Sequence, residues 1–357
     1  MRTLSRWMTS LSVTAGLLLM AVAALTMEPR PADLSKPAGE MAEAAGAFWK
    51  SLTPEQQKVA GFGFDDKERL NWHFIPRDRK GLPIKEMKED QRKLALALLA
   101  TGLSKNGYDK ATTIMTLESI LAEMEGPNRK FPRDPELYYF SIFGAPGPKG
   151  AWGWRVEGHH VSVNITVVDG KAIASAPAFL GTNPGLVKEG PRKGLRVLGN
   201  DEEMGRTLVK SLTDEQKEVA IISKDAMKDF KEIVLTPEKR VENLTPAGIG
   251  WSRLAQPQQE QLWALIREYA NRLRGELAEQ DLAKIERAGK DKLTFAWAGG
   301  LEAGQGHYYR VQGPSFIIEY DNTQNGANHV HSIWHDPASH FGQDLLKKHY
   351  EAEHSQK

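Results

Sequence analysis

The chain has 357 residues, 47 Lys+Arg against 46 Asp+Glu, and no cysteine. Its 40% hydrophobic and 26% charged residues match a soluble globular average, which excludes a disordered chain and a polytopic membrane protein. A net charge of +1 argues against nucleic acid held on a broad basic face, and the missing cysteines exclude disulfides, thiolate zinc sites, Cys nucleophiles and lipid attachment through Cys.

In chain order, residues 1–30 read as an export signal. Arg2 and Arg6 form a basic start, Met8 to Met27 carries no charge, and Ala21-Val22-Ala23 offers a small-x-small cleavage site. An uncleaved N-terminal anchor is the alternative, since about 20 apolar residues can span a bilayer. Either way the rest is expected outside the cytoplasm, periplasmic or extracellular, touching a membrane only through this segment.

The remainder reads as one unit written twice. Ser51-Leu-Thr-Pro-Glu-Gln56 recurs as Ser211-Leu-Thr-Asp-Glu-Gln216, each a Thr-capped helix start. Asp90-Gln91-Arg-Lys-Leu matches Gln258-Gln-Glu-Gln-Leu262 at the head of an amphipathic helix, and Trp154-Arg-Val-Glu-Gly158 matches Tyr309-Arg-Val-Gln-Gly313 before alternating strand-like residues. The predicted fold is therefore α+β and internally duplicated, with antiparallel strands from both halves and helices packed on them. Residues 31–200 would form the first α+β repeat and 201–357 the second, packed together as one compact unit with a ligand groove between them.

Six of the ten histidines fall between His307 and His349. Asn325-Gly326 signals a type I′ turn, so Glu319 to Asp336 reads as a hairpin. On its return strand His329 and His331 project the same way, and Glu319 or Asp321 across the hairpin would close a two-His, one-carboxylate metal set. Zinc, iron or manganese suits such nitrogen and oxygen donors. In the first half, His160, Ser162, Asn164 and Thr166 share a strand face, with His159 on the opposite, apolar face. His160 is thus an acid–base group or further ligand, and Asn164 its polar neighbour. Asn322 and Asn328 could orient a substrate, while Arg155 and Arg310, at matching repeat positions, either bind a ligand carboxylate or bridge a turn carboxylate. If the halves form one cleft, His160 and Asn164 should lie within roughly 10 Å of Glu319, His329 and His331. No GxSxG, Walker loop, strand-borne GxGxxG or HExxH occurs, so those hydrolase, nucleotide and zincin chemistries lack support.

Phe143-Gly-Ala-Pro146, Trp152-Gly-Trp-Arg-Val-Glu-Gly-His-His160, Phe179-Leu-Gly-Thr-Asn-Pro184, the Glu319–His331 string, and Phe341-Gly-Gln-Asp-Leu-Leu346 with His349 together resemble domain-of-unknown-function family 3500, found chiefly in bacteria. His340 departs from the acidic residue expected before Phe-Gly. The resemblance spans nearly all of the chain after the signal and implies membership, often with export, but no activity or catalytic residues. The leading expectation is an extracytoplasmic metal-dependent enzyme, hydrolytic or oxidative, on a small-molecule or polymer-derived ligand. A non-catalytic sugar- or peptide-binding protein and a structural envelope protein are the alternatives.

Overall fold

Thr53 and Thr213 each begin a short helix by the same device. The Thr hydroxyl accepts the backbone N–H three residues on, at 3.3 Å in both, and Gln56 or Gln216 reaches back to the Thr N–H at 3.0 Å. Each glutamine then meets a second one, Gln91 or Gln258, whose amide caps the carbonyl of Ser51 or Ser211. Matching sequence strings thus build matching hydrogen-bond clusters in the two halves.

The computed structural model describes residues 32–226 and 245–354; the export segment lies outside the described residues. The first half runs α1 (Ser35–Ser51), α2 (Pro54–Ala60), β1 (Gly61–Phe62), β2 (Leu82–Pro83), α3 (Glu89–Gly102) and α4 (Lys105–Glu125). Strands β3 (Tyr139–Phe143), β4 (Ala151–Gly158), β5 (Val161–Val168), β6 (Ala172–Ala174) and β7 (Ala178–Thr182) follow. The second half runs α5 (Gly199–Ser211), α6 (Asp214–Ala220), β8 (Ile221–Ser223), β9 (Ile249–Gly250), α7 (Gln256–Ala270) and α8 (Gly275–Ala288). It continues with β10 (Thr294–Gly299), β11 (His307–Gly313), β12 (Phe316–Gln324), β13 (His329–His335) and α9 (Gln343–His354).

All described strands join one sheet in the order β1-β3-β4-β5-β7-β13-β12-β11-β10-β8, with β2, β6 and β9 paired alongside. Helices and a large sheet make the chain α+β, as the sequence predicts. The sheet is not wholly antiparallel, however: β1 runs parallel to β3, and β8 parallel to β10. Each of these short strands directly follows a helix, which carries the chain back along the sheet so that it re-enters in the same direction. At the centre β7 pairs antiparallel with β13, so residues from both halves meet there.

Alternation along the strands sorts side chains between two faces. Trp154, Val156, Val163 and Ile165 from one half, with Tyr309, Val311, Ile318 and Tyr320 from the other, enter the large helix-covered core. The opposite face holds a smaller cluster of Trp72, Phe179, Ile317, Ile333 and Phe341, together with buried polar groups. The halves also meet where α3 turns into α4 and α7 into α8: Ser104 N–H donates to Arg272 O at 3.0 Å, and Arg274 N–H to Gly102 O at 3.1 Å. Beside this contact buried Asp201 binds Arg272 and, at 3.1 Å, Lys110.

Candidate metal centre

The site forms where the β4–β5 turn of the first half reaches the sheet's central strands. Gly158-His159-His160 makes this turn so tightly that β5 starts at Val161, and His160 takes a left-handed backbone with φ of 63°. That conformation is costly for a residue with a Cβ, and two backbone bonds hold it: His160 N–H to Phe74 O at 2.9 Å, and Gly181 N–H to His160 O at 2.8 Å. Because His160 belongs to the turn, strand alternation does not govern it. The imidazoles of His159 and His160 therefore stack at 3.8 Å instead of pointing oppositely.

On the other side, the hairpin departs from the expected two-residue turn. Asn325, Gly326 and Ala327 all have positive φ, and Asn328 N–H closes a longer loop on Gln324 O. Asp321 pairs with His331 but Gln324 with His329, so β12 carries one extra residue, a bulge at Asn322–Thr323. Asn322 Oδ1 accepts the His329 N–H at 3.1 Å and fixes the start of β13.

Three imidazoles converge as a result. One nitrogen each from His160, His329 and His331 lies within 4.8 Å of the other two, and His160 Nε2 is 2.8 Å from His329 Nε2. Three nitrogens around a tetrahedral ion at about 2.0–2.1 Å would stand roughly 3.3 Å apart, inside this range. His160 is buried; His329 and His331 are half-buried, so one side of the cluster reaches solvent. Burial, with the neighbouring imidazoles, drives His160 well below the ordinary imidazole range and His329 down to about 2, so both are neutral and carry lone pairs. Phe74 and Phe179, stacked at 4.0 Å, wall the cluster beside His331.

The structure redistributes the remaining site residues. Asp321 is not one of the converging groups; its Oδ2 lies 3.3 Å from His331 Nδ1. Glu319 sits two residues along the strand, roughly 7 Å away, opposite Ile333, and accepts the Tyr308 hydroxyl at 2.8 Å. It therefore falls outside the cluster. Asn164 also falls outside: its amide donates to Ser162 Oγ at 3.1 Å and Pro177 O at 2.9 Å. Arg155 is a structural bridge, binding Glu68 through its carboxylate at 2.6 Å and its carbonyl at 2.8 Å. Arg310, opposite Glu319 as Arg155 is opposite Asn164, donates to Thr245 O at 3.2 Å. Asn328 ties its loop to Leu186, accepting that N–H at 2.6 Å and donating to its carbonyl at 3.2 Å.

Sequence reasoning missed Gly181. A Cβ there would meet His160 Cδ2 and Val330 O, both at 2.8 Å, so only glycine lets the His160 ring lie against the central strands. Gly181→Ala is expected to displace His160 and, if the cluster holds a metal, to lower its affinity at least tenfold with the far-ultraviolet circular dichroism unchanged, as competition with a chromogenic chelator would show. The glycine inside an otherwise apolar strand was the available signal.

Glu319 yields a pH prediction. Burial pushes its carboxyl up to about 7, with nearby Asp321 adding to the rise and Tyr308 and Arg310 opposing it. A carboxyl raised in the folded state binds more protons than when unfolded, so its ionisation removes stability as pH climbs from about 4.5 to 7. Glu319→Gln should match the parent near pH 4.5 and exceed it by on the order of 2–3 kcal/mol above pH 8, read from urea unfolding at both pH values.

Taken together, fold and geometry define an α+β protein with a three-histidine cluster seated between its halves. The chain belongs to the family described as "Protein of unknown function (DUF3500)", which matches residues 35–343. No curated protein and no solved structure matches it.

Proposed function

We propose that this chain is an exported, metal-dependent hydrolase whose ion is held by His160, His329 and His331. The observation that carries the reading is the convergence of three imidazole nitrogens, from segments about 170 residues apart, within 4.8 Å. Three imidazole nitrogen donors suit zinc better than manganese, which prefers oxygen, and they depart from the two-His, one-carboxylate set usual for oxygen-activating iron. An ion held by His160, His329 and His331 would keep a position open for water or substrate, would supply Lewis acidity and would lower the pKa of a bound water toward ~7.

The chain's own groups serve this arrangement. Asp321 holds His331 in the tautomer that offers Nε2, at the 3.3 Å separation described above. Gly181 gives His160 room, and the Phe74–Phe179 stack shields one flank from water. The expected substrate is a small or polymer-derived molecule, not nucleic acid.

Two further proposals accompany this reading. Export is supported by Arg2 and Arg6 ahead of the uncharged Met8–Met27 stretch. Among the described residues no helix is long and apolar enough to cross a membrane. Duplication of an ancestral half is supported by the paired Thr/Gln clusters and by the parallel strands β1 and β8 at corresponding places in the sheet order. A zinc titration of chelator-treated, tag-free protein tests the functional reading: one tight equivalent should bind and restore hydrolysis of a p-nitrophenyl ester panel. Absence of a tight equivalent would refute it.

A further inference from the structure

The His159 side of the β4–β5 turn closes a cavity of about 410 Å³, within the roughly 300–1,000 Å³ usual for small-molecule sites. One imidazole separates it from the metal cluster, since His159 stacks on His160 at 3.8 Å. Its apolar wall is Pro76, Phe131, Pro132, Leu137, Tyr138 and Tyr139. Its polar lining is Arg77, Asp78, Arg79, Glu118, Asp134 and His159.

We infer that this cavity binds a neutral saccharide. Charge selects against the main competitors. Asp134 is paired with Lys85 at 2.7 Å, Arg79 with Glu157 at 3.0 Å, and Glu118 meets His159 Nδ1 at 2.5 Å, so neither sign dominates. A phosphate or polycarboxylate would find no surplus of cations, and a polyamine no surplus of carboxylates. Prolines and aromatic rings offer flat apolar surface to the C–H faces of a sugar ring. Arg77 and Asp78, both exposed, offer a donor and an acceptor to hydroxyls, which both donate and accept, whereas Arg79 is spent on Glu157 and backbone carbonyls. Glu118 meets His159 Nδ1 at the end of the cavity nearest the cluster. Arg133 keeps this end rigid: its guanidinium lies 5.9 Å from the Phe131 ring centre and 3.3 Å from His159 Nδ1.

The inference names the substrate class for the hydrolase reading, yet the cavity stands apart from the metal ligands, so the two can be tested separately. Calorimetric titration of the tag-free protein would use cellotetraose, maltotetraose, xylotetraose and chitotetraose, with the peptide Ala-Tyr-Ala as a control. Saturable binding of at least one tetrasaccharide is expected, weakened at least tenfold in Tyr139→Ala and in Phe131→Ala, both with unchanged zinc stoichiometry. His329→Ala should lose zinc but keep the sugar. No binding by any tetrasaccharide, binding of the peptide alone, or sugar affinity undiminished in both aromatic variants would overturn the assignment. Such a failure with zinc still bound at His329 would leave the metal reading intact.

Discussion

If the three-histidine cluster holds a metal as proposed, alanine at His329 or His331 is expected to abolish metal binding, with the largest change in affinity of any single site substitution. Each removes one of only three donors, and the other two cannot fill a tetrahedral shell. Asp321→Asn gives the scale for comparison. It keeps every donor but weakens the restraint on the His331 ring, and loss of such an orienting partner typically costs 10–100-fold in affinity. Both histidine variants should exceed that loss, while Asn164→Ala, whose amide binds Ser162 and Pro177, should leave affinity unchanged. Competition with a chromogenic chelator across these variants measures the order directly. An Asn164 effect equal to that of His329 would mean the cluster has been drawn around the wrong residues.

The second large effect concerns stability. Asp201 is fully buried between Arg272 and Lys110, and Arg272 also donates to Ser332 on β13 at 2.8 Å. Asp201→Ala would leave buried Arg272 without its carboxylate partner and Lys110 with Glu268 alone, and breaking a buried pair in this way typically costs about 3–5 kcal/mol. Its carboxyl is held below the ordinary range by Arg272 and Lys110 although burial alone would raise it. The bridge therefore persists until the medium is more acid than the ordinary carboxylate pKa. Equilibrium unfolding at pH 7 should show the loss, and because Arg272 and Ser104 sit where the two halves touch, the variant should also unfold less cooperatively.

Much of this was legible in the chain. The Thr53 and Thr213 caps, the amphipathic helices and the shared direction of His329 and His331 follow from spacing, because each depends on local geometry of fixed period. The sequence predicts that His160 and Asn164 approach the hairpin; His160 does, while Asn164 is engaged by Ser162 and Pro177. What was not legible depended on departures from regular period. His160 escaped strand alternation through its left-handed turn, which brought His159 onto the same side. The register of β12 on β13 sets Glu319 opposite Ile333 and Asp321 opposite His331, and the bulge beyond Asp321 shifts the pairing of His329 to Gln324. Arg155 found its partner in Glu68, 87 residues earlier, on a segment whose position no spacing rule predicts.

Zinc K-edge X-ray absorption on the zinc-loaded, tag-free protein tests the central claim most directly. Three imidazole nitrogens at about 2.0–2.1 Å plus one lighter oxygen or nitrogen donor are expected, falling to fewer imidazoles in His160→Ala. A spectrum with fewer than three imidazoles in the parent protein, or one unchanged by His160→Ala, would contradict a site shared between the two halves.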